Sequence, residues 1–337
     1  MNPLRIAIIG VGRMGTNHAR VLSDMPGVCL AAICDADGES AAKTAKRFLA
    51  EKACSDPAEL LSGGKLDAVV VAVPTSEHMA VVEQCFENGI HVLVEKPMAP
   101  TVEDCDILMA SAKKHGRILM VGHVERFNPV ILQLREFLKE KFLGDVYYVE
   151  TSRCGPFPRR LYGSKDGVVI DLAVHDLDII ASLFGPLRQL YANHIQTPGS
   201  NQDIHARVLL KTVDGIVGSC QFSWISPKRE RSITVYGDKG ILQGNLIDQE
   251  IWYFENGDVG IDYSDNYYQN VLMGRVSEGK VIKFPIHKEE PLKSELSFFC
   301  DLARESLEHD PSYGREAVRY SLSVLRSAQK DEIVVFK

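Results

Sequence analysis

The first 122 residues alternate between short apolar runs and longer segments of helical length. The apolar runs have the length of strands and lie at 4–9, 28–34, 67–73, 91–96 and 117–122. The helix-length segments between them lie at 13–25, 38–50, 76–88 and 101–115. Continuous apolar strands that alternate with helices are buried on both faces, as in a doubly wound parallel sheet. The pattern predicts an α/β domain of this kind over residues 1–122.

The pattern changes after residue 123. A helical stretch at 128–141 precedes an alternating segment at 145–153, and a further helix spans about 170–184. Strand candidates then follow one another at 187–196, 204–212, 216–224, 230–236, 240–244 and 248–254. Short turns between consecutive strands indicate a mostly antiparallel sheet. Two helices, at about 291–308 and 314–329, close the chain.

These patterns predict two domains. We expect residues 1–122 to bind a cofactor and residues 123–337 to form an α+β domain for substrate binding and oligomerisation. The two closing helices belong to the second domain or pack back on the first. The exposed apolar positions of an open sheet would form a large patch, so we expect a partner subunit to cover one face.

Composition and charge narrow the class of protein. The chain is 45% hydrophobic and 25% charged, as is usual for globular proteins, and its net charge of −7 argues against nucleic-acid binding. No apolar run approaches the ~20 residues of a membrane helix, and the first residues lack the features of a signal peptide. We therefore expect a cytoplasmic protein that binds neither nucleic acid nor membranes. The eight cysteines form no CxxC pair, so we expect no metal site.

A glycine-rich sequence, GVGRMG at residues 10–15, directly follows the first predicted strand. Its glycines permit a tight turn beside a pyrophosphate, and the next helix directs its N-terminal NH groups at that anion. Asp35 ends the second predicted strand, where a carboxylate binds ribose hydroxyls and repels a 2′-phosphate. The motif predicts a Rossmann site for NAD rather than NADP, with a plain strand–turn–helix as the alternative. The predicted cofactor residues are Gly10, Gly12, Arg13, Met14, Gly15, Asp35, Pro74, Thr75, Glu95 and Lys96.

Lys96 ends the strand predicted at 91–96 and is followed by Pro97. A residue before proline is restricted to extended geometry, which directs its ammonium toward the ligand edge of the sheet. There Lys96 could polarise a substrate oxygen or exchange a proton with it, although a solvated lysine is the alternative. Thr75 follows the strand predicted at 67–73 and is a cofactor neighbour, with a helix cap at Thr75 or Ser76 as the alternative. We expect His78 to be a packed residue at the start of a helix.

The segment GVVIDLAVHDLDII, at 167–180, predicts a buried helix with a few polar residues. Asp171 and His175 are four residues apart and share one helical face, and Asp178 follows on the same side. Buried polar groups require partners, so Asp178 is predicted to orient the imidazole or to stabilise its charge. His175 is a candidate catalytic base, and a satisfied core histidine is the alternative.

The motifs GxGxxG, EKP near residue 95 and DxxxHxxD near residue 175 together resemble the glucose–fructose oxidoreductase/inositol dehydrogenase (Gfo/Idh/MocA) family. The resemblance covers essentially the whole chain. It implies that Lys96 and His175 flank the reacting sugar carbon, with Asp171 as the associated acid. It also implies a peptide before Pro97 that is often cis, and a homodimer or homotetramer. Val168 departs from the second glycine that many members have at this position.

A basic loop, RCGPFPRRLYGSK at 153–165, leads into this helix. It contains Arg153, Arg159, Arg160 and Lys165 and no acidic residue. Arginine forks match phosphate oxygens, so we predict that these arginines bind the diphosphate of a nucleotide sugar. A solvated loop or a subunit contact is the alternative.

The segment GHVERFNP, at 122–129, supplies His123, Arg126 and Asn128 as further candidate substrate donors, with helix capping as the alternative for Asn128. With the basic loop and EEPLKSEL at 289–296, it resembles the UDP-N-acetylglucosamine 3-dehydrogenases within the family. This resemblance implies oxidation of the sugar C3 hydroxyl to a ketone, with either His175 or Lys96 as the proton acceptor. A dehydrogenase of free polyols or simple sugars, and a non-catalytic NAD-sensing regulatory protein, are the alternative functions.

Overall fold

A computed structural model describes residues 2–62, 65–158, 166–257, 279–305 and 307–336. The chain divides into two compact units, Met1–Phe127 with Glu289–Leu322, and Asn128–Lys288 with Ser323–Lys337. The first unit therefore extends beyond residue 122 and takes in a segment from near the end of the chain.

Six parallel strands form the sheet of the first unit, in the order β3-β2-β1-β4-β5-β6. They are β1 Leu4–Ile9, β2 Val28–Cys34, β3 Lys52–Cys54, β4 Ala68–Val71, β5 His91–Glu95 and β6 Leu119–Gly122. This arrangement confirms the predicted doubly wound sheet. The short strand β3 was not predicted, because two of its three side chains are exposed and it lacks an apolar run.

Helices lie between these strands: α1 Arg13–Ser23, α2 Gly38–Arg47, α3 Pro57–Ser62, α4 His78–Glu87 and α5 Val102–His115. Alternate strand side chains enter two separate apolar cores. Ile9 and Val94 belong to one core, whereas Ile8 and Leu93 belong to the other. Because both faces of the sheet are covered, its ligand-binding edge is the one at the carboxyl ends of the strands.

Nine strands form the sheet of the second unit, in the order β14-β13-β12-β11-β7-β10-β9-β8-β15. They are β7 Val146–Pro156, β8 Leu187–Gln196, β9 Asp203–Thr212, β10 Val217–Ser223, β11 Ile225–Gly237, β12 Gly240–Asn245, β13 Glu250–Glu255, β14 Val281–Phe284 and β15 Val334–Val335. Of the pairs between described strands, β7–β10 is parallel and the others are antiparallel. The predicted, mostly antiparallel sheet is thus confirmed.

Two helices pack on this sheet, α6 Pro129–Lys139 on β12 and α7 Val174–Phe184 on β7. A π-helical turn, Val169–Ala173, leads into α7. The sequence predicts an ordinary helix from about residue 170, because the same apolar spacing suits both conformations.

The two closing helices are α8 Pro291–Glu305 and α9 Ser312–Lys330. Helix α8 belongs to the first unit and packs on α1, with Leu296 and Phe299 fully buried. Helix α9 contributes its residues up to Leu322 to the first unit and the rest to the second. In the part of the chain that the structure describes, no helix has the length and apolar character needed to cross a membrane.

Candidate active site

The glycine turn after β1 is closely packed on one side and open on the other. A Cβ on Gly10, whose φ is +92°, would lie 2.6 Å from the Ala72 carbonyl oxygen, and one on Gly15 would lie 1.8 Å from the Gly10 oxygen. A Cβ on Gly12 would have no atom within 4 Å. Arg13 and Met14 begin α1 directly after this turn. The turn therefore holds the start of α1 against β1 and leaves space beside Gly12, a geometry that suits a pyrophosphate.

Asp35 links this turn to the end of β2. Its carboxylate oxygens accept hydrogen bonds from the backbone NH of Val11 at 2.6 Å and of Asp37 at 2.9 Å. Each carboxylate oxygen has a second lone pair, so the side chain retains the capacity to accept bonds from ribose hydroxyls. Its negative charge beside the glycine turn disfavours a 2′-phosphate.

His78 connects the ends of two strands. Its Nε2 lies 3.0 Å from the Val73 oxygen, and its Nδ1 lies 3.1 Å from the Pro97 oxygen and 3.2 Å from the Met98 oxygen. Burial lowers the pKa of His78, while the neighbouring carbonyl oxygens oppose this effect. The imidazole is buried and packed, in agreement with the expectation for it. Pro74 is exposed, and Thr75 begins a short 3₁₀ turn, Thr75–Glu77, before α4.

Lys96 follows β5 directly, and its peptide bond to Pro97 is cis. The neighbouring Glu95 is 7% exposed, and its carboxylate lies 2.8 Å from Nε2 of His18 in α1. Burial raises the pKa of Glu95, but the hydrogen bond and charge of His18 and the charge of Lys96 outweigh it and lower the pKa below its usual value. Glu95 is therefore an ionised group directed at α1, and its contact with the cofactor stays a prediction.

His123 and Arg126 surround Tyr313 of α9. The Arg126 guanidinium lies 4.1 Å from the centre of the Tyr313 ring, and the His123 ring meets that ring edge-on at 5.7 Å. The Tyr313 hydroxyl bonds to both the NH and the oxygen of Val121 at 3.0 Å. Tyr313 thus holds these two candidate substrate residues at the end of β6, a role that no sequence pattern predicted.

Asn128 is 2% exposed and caps α6. Its Oδ1 accepts from the Val130 NH at 3.1 Å, and its Nδ2 donates to the Leu246 oxygen at 3.0 Å. The capping alternative is therefore present in the structure, and the predicted substrate contact of Asn128 stays a prediction.

Arg153 is 2% exposed and forms an ion pair with Asp176 of α7, with Nε 2.7 Å from Oδ1. Its guanidinium thus joins β7 to α7, and its predicted contact with a diphosphate stays a prediction. Arg159, Arg160 and Lys165 lie outside the described residues.

Asp171 and His175 are half-buried, on a stretch whose other polar residues, Asp176 and Asp178, are fully buried. Asp171 lies within the π-helical turn and His175 lies in the first turn of α7. A π-helical turn inside a helix is frequent at functional sites. The two side chains most useful for proton transfer are therefore the accessible ones on this segment.

Two family models match the chain. One, the Gfo/Idh/MocA oxidoreductase family with an NAD-binding Rossmann fold, matches residues 4–123, and the other, the Gfo/Idh/MocA C-terminal domain, matches residues 131–243. The chain belongs to the Gfo/Idh/MocA family. Membership confirms the predicted family and the predicted NAD-binding Rossmann domain.

Relatives within the Gfo/Idh/MocA family act on different substrates. A UDP-N-acetylglucosamine 3-dehydrogenase of Acidithiobacillus ferrooxidans is 34% identical over 183 residues, 54% of this chain and 55% of that protein. A myo-inositol 2-dehydrogenase of Thermotoga maritima is 28% identical over 271 residues, 77% of this chain and 81% of that protein. The chain thus matches about half the length of the first relative and most of the second.

A solved structure of the Acidithiobacillus ferrooxidans UDP-N-acetylglucosamine 3-dehydrogenase superposes on nearly the whole chain. The TM-score is 0.82 at 23% identity, with 98% of this chain and 99% of that chain covered. At this identity the likeness establishes that the two proteins share a fold.

One buried acidic residue was not among the predicted site residues. Glu295 of α8 is 0% exposed, and neither of its carboxyl oxygens has a hydrogen-bond partner among the described residues. Burial and the charge of Glu95 raise the pKa of Glu295 well above its usual value. We infer that Glu295 is protonated in the folded protein.

We expect the free energy of unfolding of Glu295→Gln, measured relative to that of wild type, to increase as pH rises. An acid whose pKa is raised on folding favours the folded state at low pH. This stabilisation is fully present below the pKa of the unfolded chain, about 4.3, and is lost progressively as pH rises from there through the raised pKa of the folded protein. Glutamine has the same shape and cannot ionise. Urea unfolding at pH 5 and pH 8 measures the difference. The exposed Glu305 of the same helix provides the control Glu305→Gln. A wild type and Glu295→Gln variant with parallel pH dependence would contradict a protonated Glu295.

Proposed function

We propose that the protein is an NAD-dependent dehydrogenase that oxidises a sugar hydroxyl to a ketone. The observation that carries this proposal concerns the polar residues of one segment of a Gfo/Idh/MocA chain. Asp171 and His175 are only half-buried, whereas the neighbouring acids Asp176 and Asp178 are fully buried. Lys96, at the carboxyl end of β5, supplies the cationic group that such a reaction needs.

We assign NAD binding to the first unit. Gly10, Gly12 and Gly15 suit the pyrophosphate, Arg13 and Met14 begin the helix that faces it, and Asp35 suits the ribose hydroxyls. Pro74, Thr75 and Glu95 complete the proposed cofactor set together with Lys96, which also serves the reaction. When bound, NAD⁺ supplies a hydride acceptor. Asp35 also accounts for the proposed preference for NAD over NADP.

In the proposed mechanism, Lys96 stabilises the negative charge that develops on the reacting oxygen. His175 accepts the hydroxyl proton, or Lys96 accepts it while His175 orients the hydroxyl. Asp171 positions this pair. The remote parts of the substrate supply binding energy that holds the reacting carbon in place.

The proposed substrate is a UDP-N-acetylglucosamine-type nucleotide sugar, oxidised at C3. The Acidithiobacillus ferrooxidans relative, named for that reaction, supports this choice. We assign the diphosphate to Arg159 and Arg160, and the sugar to His123 and Arg126. A second candidate is a free polyol, because the myo-inositol 2-dehydrogenase relative matches a larger share of this chain, 77%.

The second unit is proposed to bind the substrate and to form the contact of a homodimer or homotetramer. Its sheet exposes apolar side chains on neighbouring strands, Ile195, Leu209 and Val217 among them. An exposed apolar patch of this kind is typical of a surface covered by another subunit. We propose a cytoplasmic location for this enzyme.

A substrate panel tests the proposal. The purified protein is incubated with UDP-N-acetylglucosamine, free N-acetylglucosamine or myo-inositol, each with NAD⁺ and with NADP⁺, and reduced nicotinamide is followed by absorbance. We expect kcat/KM to be highest for UDP-N-acetylglucosamine with NAD⁺, by about tenfold or more over each alternative, since one charge-assisted hydrogen bond contributes that factor. A higher value for myo-inositol would favour the polyol candidate, and no turnover on the panel would refute both.

A further inference from the structure

The segment that carries Asp171 and His175 is anchored at its start by a residue from a distant strand. Asp203, the first residue of β9, is 4% exposed. Its Oδ2 accepts a hydrogen bond from the Val169 NH at 2.8 Å. Val169 is the first residue of the π-helical turn. The carboxylate therefore caps this turn from outside its own segment, as a side-chain cap does within an ordinary helix.

Gly167 allows this close approach. A Cβ on Gly167 would lie 1.9 Å from Oδ1 of Asp203 and 2.2 Å from its Cγ, so a larger residue must push the two segments apart. A second contact joins the same segments, because Gln202 Nε2 donates to the Asp166 oxygen at 2.8 Å. Two hydrogen bonds and the absence of a side chain at Gly167 thus hold residues 166–169 against residues 202–203.

We propose that Asp203 is a positioning residue for the reaction, which holds the π-helical turn so that Asp171 and His175 face the substrate. The inference rests on the proposed function, because it requires Asp171 and His175 to act in catalysis. The capped Val169 NH starts the turn that contains Asp171, and α7 with His175 continues directly from it. A turn released at its start can rotate both side chains away from a productive geometry.

In this proposal, Asp203 holds the turn through the oxygen that accepts the hydrogen bond, and the charge of its carboxylate is not required. Burial raises the pKa of Asp203, while the hydrogen bond from Val169 and the charge of His194 oppose that effect. Asparagine keeps an accepting oxygen in the same place without charge, whereas leucine has a similar shape without an acceptor. This pair of variants separates the hydrogen bond from simple filling of space.

We therefore expect Asp203→Leu to lower kcat by at least about tenfold, while Asp203→Asn retains at least half of wild-type kcat. The dissociation constant for NAD should be unchanged in both variants, because the proposed cofactor residues belong to the first unit. Steady-state kinetics on the best substrate of the panel and a titration of NAD by fluorescence measure these quantities. A purely structural role would lower the melting temperature and the active fraction without changing kcat per active molecule.

A double-mutant cycle tests the same contact if Asp203→Leu folds poorly. Gly167→Ala should lower kcat in the wild-type background, because its methyl group displaces the Asp203 carboxylate. In the Asp203→Ala background, which makes room for that methyl group, Gly167→Ala should have no further effect. Additive effects on kcat, or wild-type kcat in Asp203→Leu, would overturn the positioning role. Loss of activity in His175→Asn with full activity in Asp203→Leu would refute this inference alone and leave the proposed function in place.

Discussion

Replacing Lys96 with methionine is expected to lower kcat by about 10³-fold, while the affinity for NAD stays close to that of wild type. Methionine keeps the length and apolar character of the side chain and removes the ammonium. The loss should fall on kcat, because the charge that Lys96 stabilises develops only in the transition state. Steady-state kinetics with saturating NAD⁺ and a separate NAD titration measure the two quantities.

The exposed Lys113, in the last turn of α5, provides the matched control Lys113→Met. This variant makes the same chemical change away from the candidate site, and we expect wild-type turnover from it. Near-normal turnover in Lys96→Met would show that Lys96 is a solvated residue at a strand end. Parallel losses of turnover and NAD affinity would instead show that Lys96 acts mainly by binding the cofactor.

The strength of the hydrophobic pattern explains which elements the sequence predicts. Strands β1 and β2 have the predicted bounds to the residue, because each is a continuous apolar run within a buried sheet. Strand β14, Val281–Phe284, was not predicted, since three of its four side chains are exposed. Its place depends on backbone pairing with β13, which leaves no trace in the spacing of apolar residues.

In the candidate site too, residues that act on nearby parts of the chain were predictable from the sequence, and residues that act on distant parts were not. Gly10, Gly15 and Asp35 were predictable because the turn they form lies within one strand–helix–strand unit. Tyr313 and Asp203 were not, because each acts on a segment that is far away along the chain, with Tyr313 bonded to Val121 across 192 positions. Polar residues that support a site from a distance resemble ordinary surface residues until the fold brings them together.

The π-helical turn shows a different limit of prediction from the sequence. The apolar spacing of residues 167–180 predicts a helix, and a helix is present, but the change from π-helical to α-helical geometry occurs between Asp171 and His175. The sequence places these two residues on one face in an ordinary helix, whereas their actual relation depends on where the turn begins. That starting point depends on the Asp203 contact with Val169, which is not visible in the local pattern.

His175→Asn is expected to lower kcat by about 10²- to 10⁴-fold, the range for loss of a general acid or base. Asparagine is of similar size and forms hydrogen bonds, but it cannot accept the hydroxyl proton. If Lys96 and His175 act on the same hydroxyl group, the Lys96→Met/His175→Asn double variant should be about as slow as the slower single variant, because groups that act as a unit are not additive. Steady-state kinetics on the three variants measure this coupling.

The exposed His287 of the second unit provides the control His287→Asn, for which we expect unchanged kcat. If His175 is instead a buried histidine whose hydrogen bonds only stabilise the fold, His175→Asn would have a lower melting temperature and a kcat close to wild type. Losses that multiply in the double variant would show that Lys96 and His175 contribute through independent steps. Non-additive losses with NAD affinity retained would instead join the two residues in one proton-transfer and charge-stabilising unit, which is what oxidation of a single hydroxyl group requires.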